Sequence, residues 1–523
     1  MEQTKNKMML IIDIGTQSLK VSIIDSQGYF LAHTKREYKE PYKSPKNGYC
    51  EQDPKFYYDT FCSATKELAA TVPALMKGVS GVLLTAFRDS AVMLDENMNV
   101  LHDTILWLDQ RNAKLTKKLK WYKTAIFYMV GMLNTVKYNR KRTGAVWMEE
   151  NDKETWDKVK HYVPITAYWN YLMVGKLVDS SANCSGHYPF NFKKGKWYKD
   201  TDLKSCVFGI RHDQLCDLVG VGEVIGQISK QCSIDSDIPE GLTMYSTGPD
   251  KACETLGNGC LQPNHVSISY GTACTIDIPS KRYVEPERFL PAYPAAYAGA
   301  YDIESQIYRG YWMIRWFIKE FANEDAKKAK QFDISIEDFL DNKIVDIEPG
   351  SNGLILQPYW GPGLKRPLAR GAIVGFSDTH TKYHLYKAII EGIGFALREG
   401  LDTIYRRMGK PGRPEFLVVS GGGAKNDIIC QITADLFNVH VRRTQTVESS
   451  SLGAAMAGFI AINEFKNEFE AADKMVRYEK EYVPNKVNAK KYDYLYHKIY
   501  CKIYPRLNES YAELKGYSSN EIY

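Results

Sequence analysis

Residues 9–25 read MLIIDIGTQSLKVSIID, two β-rich apolar runs joined by a short turn that contains glycine. A third run, YFLAHTK, follows at residues 29–35 after the turn-forming cluster SQG. Apolar runs separated by turn residues in this way predict three consecutive strands over residues 8–38. The chain therefore opens with a β-meander.

Helices and strands alternate after this meander. Asp53 and Pro54 predict a helix start, because Asp caps helices and Pro is tolerated at the first helical position. A strand is predicted at residues 81–85, and further strands at 266–278, 354–358 and 416–419. Alternation of short strands with long helices predicts an α/β architecture.

A chain of 523 residues is long enough for two to four structural units. The glycine-punctuated segment STGPDKACETLGNG, residues 246–259, precedes a fresh pair of strands and marks a boundary. We therefore predict an N-terminal domain over 1–255, a C-terminal domain over 256–475 and a helical tail over 476–523. The tail is rich in Lys and Tyr and is interpreted as solvated helices without chemistry.

Charge and cysteine content exclude several classes of protein. The 68 basic and 62 acidic residues leave a net charge of +6, too small for a nucleic-acid or anionic-lipid footprint. The 11 cysteines are scattered without a C-x-x-C pair, which favours reduced, mostly buried thiols. The longest apolar stretches, 125–133 and 162–175, are shorter than the roughly 18 residues of a membrane span and are predicted to be buried helices. A cytoplasmic protein without a membrane or nucleic-acid partner is expected.

The first turn, DIGTQSLK at residues 13–20, has the chemistry of a phosphate-binding hairpin. Its backbone amides and the side chains of Thr16, Gln17 and Ser18 can hold phosphate oxygens. Asp13 at the strand end can hold Mg²⁺, usually through water. The alternative is an ordinary hairpin turn with Lys20 in solvent.

Two later segments have related chemistry. YGTACT, residues 270–275, is a second glycine turn between strands, and two such hairpins on facing domains could clamp a triphosphate. In FLVVSGGGAKND, residues 416–427, a strand runs into three glycines and a helix start, which favours close approach of a flat, anionic ligand. Each segment on its own is also explained by a tight turn.

Together these segments resemble the FGGY carbohydrate kinase family from residue 8 to about residue 465. DIGTQSLK is similar to the family's first phosphate loop, TGPDKACETLG to its catalytic-aspartate segment, SYGTACT to its second phosphate loop and VVSGGGAKNDIICQITADLF to its adenosine loop. GAIVGFSDTHTKYHLYKAIIEGIGFALREG, residues 371–400, is similar to the family signature. The resemblance implies two actin-like, ribonuclease-H-like ATPase domains, with ATP and Mg²⁺ in the cleft between them.

The resemblance also implies roles for single residues. Asp250 would be the general base that accepts the proton of an attacking sugar or polyol hydroxyl, a role that an alcohol's very high pKa requires. The alternative for Asp250 is a turn residue that caps a helix. Asp13 would lie on the metal side, and the nucleotide would be bound by Thr16, Gln17, Ser18, Lys20, Thr272, Gly310, Gly422 and Asn426.

For the acceptor, TAFRDSAVML at residues 85–94 resembles the substrate loop of the glycerol-kinase-like members. Arg88 and Asp89 would grip hydroxyls there, since guanidinium only donates and carboxylate only accepts hydrogen bonds, unless they form a surface ion pair. Trp107 in ILWLDQR is interpreted as core. Two departures, Gly144 where the family usually has Lys and Lys251 after the base, fall near the acceptor, and Lys251 could bind an acidic group on it, lower the pKa of the base or turn outward.

We therefore predict an ATP-dependent kinase of a small sugar, sugar acid or polyol. Two alternatives stay open: an inactive nucleotide-binding relative that keeps the clamp, and an actin- or chaperone-like ATPase that uses the same clamp for another output. The sequence leaves the acceptor, the phosphorylated hydroxyl, the regulation and a homodimeric state undecided.

Overall fold

The computed structural model describes residues 6–361, 363, 365–409 and 412–518. In the N-terminal half the strands are β1 (Met8–Ile14), β2 (Ser18–Asp25), β3 (Phe30–Glu37), β4 (Glu51–Gln52), β5 (Gly81–Ala86), β6 (Ala91–Leu94), β7 (Thr104–Ile105), β8 (His161–Pro164), β9 (Val178–Ser180), β10 (Phe190–Asn191), β11 (Lys196–Trp197), β12 (Asp217–Val219), β13 (Val224–Gln227) and β14 (Thr243–Tyr245). The helices there are α1 (Pro54–Thr71), α2 (Pro73–Lys77), α3 (Trp121–Met129), α4 (Leu133–Arg142), α5 (Gly144–Asn151), α6 (Lys153–Lys158), α7 (Ile165–Val174), α8 (Lys230–Ser236) and α9 (Asp250–Gly257).

The C-terminal half continues the alternation of strands and helices. Its strands are β15 (His265–Tyr270), β16 (Cys274–Ser280), β17 (Tyr293–Pro294), β18 (Tyr301–Ile307), β19 (Ile355–Gln357), β20 (Ala372–Val374), β21 (Phe416–Ser420), β22 (His440–Thr444) and β23 (Tyr478–Tyr482). Its helices are α10 (Trp312–Phe321), α11 (Asn323–Gln331), α12 (Ile336–Lys343), α13 (Lys382–Met408), α14 (Asp427–Phe437), α15 (Ser449–Ala461), α16 (Glu468–Met475), α17 (Lys486–Leu495) and α18 (Cys501–Ser518). A π-helical turn, Tyr496–Tyr500, joins the last two.

Two large sheets with the same connectivity organise the chain. The first has the order β13-β14-β5-β1-β2-β3, in which β1, β2 and β3 form the predicted antiparallel meander and β5 and β14 run parallel to β1. The second has the order β17-β18-β16-β15-β21-β22-β23, again a meander followed by two parallel strands. The turns β1-β2 and β15-β16 therefore occupy equivalent positions in the two halves.

Helices α9 and α15 pack against each other with their backbones in contact. A Cβ atom placed on Gly453 would lie 1.8 Å from the carbonyl oxygen of Cys253, and one on Gly257 would lie 2.0 Å from that of Ser449. Glycine is required at both positions because no side chain fits there. The crossing fixes α9 beside the buried residues of β1, so the first turn of α9 has a defined position between the sheets.

Local cap and strand predictions agree with the structure. Asp53 caps α1 by accepting a hydrogen bond from the backbone N–H of Lys55 at 2.8 Å. The strands predicted at 81–85 and 416–419 are β5 and β21. All 11 cysteines, which lie within the described residues, are free and most are buried.

Two predictions for the surface were wrong. The apolar stretch 125–133 is not a buried helix, because Tyr128 and Met129 of α3 are 73% and 75% exposed and the helix covers only a small cluster around Phe127. The tail is not made of solvated helices alone. It adds β23 to the second sheet, and Tyr492 donates a hydrogen bond to the buried Glu391 at 2.7 Å.

No helix among the described residues has both the length and the apolar character needed to cross a membrane.

Candidate active site

A cavity of about 1090 Å³ lies between the two sheets. Its wall includes the two equivalent hairpin turns, the start of α9 and the glycine turn after β21. It is lined by twelve of the thirteen residues predicted from the sequence, namely Asp13, Thr16, Gln17, Ser18, Lys20, Arg88, Asp89, Asp250, Lys251, Thr272, Gly422 and Asn426.

Gly310 is the residue that does not line the cavity. A Cβ atom on it would lie 2.3 Å from the Cys274 sulfur, so Gly310 packs behind the second hairpin. The next residues hold that hairpin, since the N–H of Tyr311 donates to the Gly271 carbonyl at 3.1 Å and that of Trp312 to the Thr272 carbonyl at 3.3 Å. Gly310 therefore packs against the second hairpin, and its contact with a nucleotide stays a prediction.

The first hairpin carries a charge pair. Asp13 and Lys20 face each other across β1 and β2, with the Lys20 Nζ 3.6 Å from Asp13 Oδ2. Lys20 also forms an ion pair with Glu448 at the start of α15. Lys20 is therefore not in free solvent, contrary to the ordinary-turn alternative. Burial raises the pKa of Asp13, and the neighbouring Lys20 opposes this shift.

Lys251 contacts the second hairpin. Its Nζ lies 2.7 Å from Glu254 Oε2 and donates to Ser269 Oγ at 2.6 Å. Ser269 is in β15, directly before the turn that contains Thr272. Of the roles considered for Lys251, an outward orientation is therefore excluded, and its ammonium group lies on the hairpin side of the cavity.

Asp250 is the first residue of α9. Its Oδ1 accepts a hydrogen bond from the backbone N–H of Lys251 at 2.8 Å. The segment before it is held by Thr85 at the end of β5, which donates to the Gly248 carbonyl at 3.0 Å. Burial raises the pKa of Asp250 to about 6, against the lowering effects of Lys251 and Arg88. A carboxylate of this basicity can accept a proton near neutral pH.

Arg88 and Asp89 each bind a partner from a distant part of the chain. Arg88 forms an ion pair with Glu304 and lies over the Tyr293 ring, 4.5 Å from its centroid. Asp89 accepts hydrogen bonds from His187, at 2.8 Å from the backbone N–H and 2.8 Å from Nδ1. Asp89 also has a positive φ of 59°, which residues other than Gly, Asn and Asp rarely adopt. The two side chains are thus held as separate groups at the cavity wall.

Trp107 is a site residue that the sequence interpretation missed. It is half-buried, lines the cavity and donates from Nε1 to Thr16 Oγ1 at 3.0 Å. Its side chain also packs against the hydrophobic core, as predicted. The only signal in the sequence was the W-x-D-x-R pattern, in which the Asp109 and Arg111 pair does give the expected structural support. Other cavity residues that the sequence analysis did not single out include Tyr138, Arg142, His187, Tyr293 and Glu254.

The glycine turn after β21 opens the far end of the cavity. Gly421 has a φ of +81° and packs on the backbone of Tyr270, and Gly423 packs on the ring of Tyr311. A Cβ on Gly422 would meet none of the described residues within 4 Å, so this position leaves room for a ligand. Asn426 caps α14 by accepting from the N–H of Ile428 at 2.8 Å. The turn thus combines open space with a helix N-terminus.

The donor set fits a metal that arrives with a phosphate ligand. Within the described ranges, no group of three or more His, Cys, Asp or Glu side chains could hold a metal. Mg²⁺ commonly takes one or two protein carboxylates together with waters and substrate phosphates. Asp13 is a buried carboxylate beside a phosphate-type turn and meets that requirement.

Comparison with known proteins identifies the family. Residues 8–257 match the N-terminal domain, and residues 266–462 the C-terminal domain, of the FGGY family of carbohydrate kinases. This chain belongs to the FGGY family. The predicted family is confirmed, and kinases of this family use ATP.

FGGY relatives cover nearly the whole chain. The xylulose kinase of Bacillus subtilis (strain 168) is 26% identical over 98% of this chain and 100% of its own length. The gluconokinase of the same organism is 25% identical, with coverage of 98% and 99%. The crystal structure of ligand-bound xylulose kinase from Lactobacillus acidophilus matches with a TM-score of 0.79, at 22% identity and coverage of 97% and 100%. The crystal structure of Plasmodium falciparum glycerol kinase with ADP matches with a TM-score of 0.74 at 18% identity, and the match covers 95% of this chain and 98% of that one. The predicted two-domain actin-like fold is confirmed.

Proposed function

We propose that this FGGY kinase transfers the γ-phosphoryl group of ATP to a hydroxyl of a small sugar, sugar acid or polyol. The observation that carries the proposal is the position of Asp250 in the same cavity as both hairpin turns. An acidic side chain beside two phosphate-type turns is what alcohol phosphorylation requires. The proposed division of the chain is the predicted one, with domains over 1–255 and 256–475 and a tail over 476–523.

In the proposed reaction the acceptor hydroxyl approaches the γ-phosphorus in line with the leaving group. Its oxygen forms the new P–O bond, the bond to the β,γ-bridging oxygen breaks, and the hydroxyl proton passes to a carboxylate oxygen of Asp250. The products are the phosphorylated acceptor and ADP. A pKa of about 6 keeps Asp250 ionised at neutral pH and still basic enough to take the proton.

The two hairpins share the task of holding the triphosphate. Thr16, Gln17 and Ser18 would donate from one side and Thr272 from the other, while Gly422 and Asn426 would lie beside the nucleoside. Mg²⁺ bound with the nucleotide would supply charge neutralisation at the phosphates, with Asp13 as its protein carboxylate. Arg88 and Asp89 would contact acceptor hydroxyls.

A coupled ADP-release assay tests this function. The panel contains pentuloses, aldonates, alditols and triose alcohols, each with Mg-ATP and with a blank that lacks acceptor. We expect turnover that depends on an acceptor, because closure of the cleft around the bound acceptor would exclude water from the phosphoryl group. ATP binding without turnover on any acceptor would favour the inactive relative, and turnover that is indifferent to the acceptor would favour an actin- or chaperone-like ATPase.

A further inference from the structure

A small chamber of about 40 Å³ lies beside Asp89 at the proposed acceptor end of the cavity. Asp89, Trp107, Arg142 and His187 line both the chamber and the main cavity, so the two spaces adjoin. A single water molecule needs about 10 to 15 Å³ of cavity volume, so the chamber has room for a few polar atoms. Because the chamber adjoins the main cavity, the end of an acceptor that is remote from the reacting hydroxyl can reach it.

Two residues of the chamber wall carry a buried hydrogen-bond donor without a partner. Arg111 Nη1 and the Tyr188 hydroxyl are buried and have no hydrogen-bond partner among the described residues. Arg111 is only 8% exposed and Tyr188 only 2%. Unpaired buried donors are costly and are normally satisfied by water or by a ligand. Their side chains line the chamber together with the carboxylates of Asp89 and Asp109, so its wall is polar.

Arg142 is the cation at the boundary between the two spaces. It ends α4 and lies over the Tyr138 ring at 5.9 Å, yet no carboxylate of the described chain lies within salt-bridge distance of it. Its charge lowers the pKa of Asp89, but that carboxylate is already bound to His187. The other cations on this wall have partners or are exposed: Arg88 pairs with Glu304, and Lys193 and Lys204 reach the cavity from exposed positions.

Arg142 differs from its neighbours in the last turn of α4. The guanidinium of Arg140 donates to the carbonyl oxygens of Cys206 and Lys117, at 2.9 and 3.0 Å, and so has a structural role. Lys141 is exposed and does not line the cavity. A general preference for cations at a helix C-terminus would be met by Lys141 alone and does not account for a half-buried guanidinium that faces the site.

We propose that the acceptor is a sugar acid, and that Arg142 binds its carboxylate at the mouth of the chamber. The inference rests on the proposed kinase function and narrows its acceptor class. A carboxylate carries hydrogen-bond acceptors only, which matches a guanidinium that only donates, and its charge neutralises Arg142. With an uncharged polyol end, the only negative charge that the described residues place near the guanidinium would be that of Asp89, which is already bound to His187.

The test compares four-, five- and six-carbon aldonates with the alditols and ketoses of matched configuration. In the wild type we expect kcat/KM to be about 10- to 100-fold higher for one aldonate than for its alditol, the range of a hydrogen bond to a charged group. Arg142→Met should remove this preference by raising the KM for the aldonate. Arg142→Lys should restore part of it, and Lys141→Met, the neighbouring charge removal outside the cavity, should keep the preference.

A binding measurement separates failure of this inference from failure of the kinase proposal. Thermal unfolding of each variant is recorded with ATP alone and with ATP plus aldonate or alditol. If no acceptor is phosphorylated, the kinase proposal fails, but stabilisation of the wild type and not of Arg142→Met by an aldonate still supports the acid site. Equal use of aldonate and alditol, or an aldonate preference that survives in Arg142→Met, overturns the inference, as does an absence of both turnover and stabilisation by any aldonate.

Discussion

Replacement of Asp250 by Asn is the most direct test of the proposed chemistry. The amide has nearly the same shape, and its oxygen can still accept the hydrogen bond from the N–H of Lys251, which measures 2.8 Å. The substitution therefore removes the basicity of the side chain and little else. We expect kcat to fall by about 10² to 10⁴, the usual contribution of a general base, while the affinity for ATP is retained.

The pH profile gives the same prediction a second readout. Burial raises the pKa of Asp250 from 3.8 to about 6, so the ionised fraction is about one-tenth at pH 5 and about nine-tenths at pH 7. Because the base must be ionised to act, kcat/KM of the wild type should rise nearly tenfold over this interval and then level off. The residual activity of Asp250→Asn should lack this rise.

The stability of Asp250→Asn should stay the same or rise, although its activity falls. A carboxyl whose pKa is higher in the folded than in the unfolded state stabilises the fold while it is protonated, and this contribution is lost as the pH rises through about 6. Asn is neutral at every pH. At pH 8 the free energy of unfolding of Asp250→Asn should therefore equal that of the wild type or exceed it, by less than about 3 kcal/mol because the side chain is partly exposed.

Turnover and its pH dependence are measured by steady-state ADP release. The affinity for ATP is measured by titration calorimetry, and the stability by thermal unfolding at pH 8. Asp53→Asn is the matched control, since it makes the same change at the cap of α1, outside the cavity, and Asn also caps helices. Its turnover should be normal. Turnover of Asp250→Asn within tenfold of the wild type, or a wild-type acid limb near the ordinary value of 3.8, would refute the assignment of the base.

Two further substitutions probe other parts of the site. Trp107→Phe removes the 3.0 Å hydrogen bond to Thr16, and kcat/KM should fall about fivefold, the effect of one neutral hydrogen bond of about 1 kcal/mol. A variant with normal kinetics would show that this hydrogen bond does not contribute to turnover. Gly453→Ala places a Cβ 1.8 Å from the Cys253 carbonyl oxygen, so thermal unfolding should show a loss of about 1 to 3 kcal/mol or a failure to fold. Ala461→Ser at the end of the same helix should have little effect, and a stable Gly453→Ala variant would contradict the backbone contact of α9 with α15.

The parts of the fold that the sequence predicts are those with local causes. The meander over residues 8–38 follows from apolar runs and turn residues that are neighbours in the chain. The cap at Asp53 is a contact between residues two positions apart. The glycine turn at 421–423 requires positive φ and close packing, which restrict the residue type directly. Such signals survive without knowledge of the tertiary structure.

The parts that sequence reasoning missed depend on distant partners. Arg88 contacts Glu304, 216 positions later, and Asp89 contacts His187, 98 positions later. The neighbouring Arg and Asp in the sequence therefore predict where these side chains lie but not which residues they bind. Exposure of Tyr128 on α3 is likewise decided by how much of the protein lies beside the helix, which an apolar composition does not report. Polar partners and exposure are tertiary properties.

The two hairpins reach a similar arrangement through different residues. Asp13 pairs with Lys20 next to the end of the first hairpin, and at the corresponding place in the second the pair is Ser269 and Thr275. The second hairpin has no lysine there, but Lys251 reaches Ser269 from α9 at 2.6 Å. Each turn thus has one ammonium group at an equivalent position on the cavity wall, although the two lysines come from a strand and a helix. Sheet order is preserved by apolar pattern and turn geometry, while charge can be supplied by any nearby element. The structural repeat therefore spans both sheets, although the two turns share only a Gly-Thr pair in the sequence.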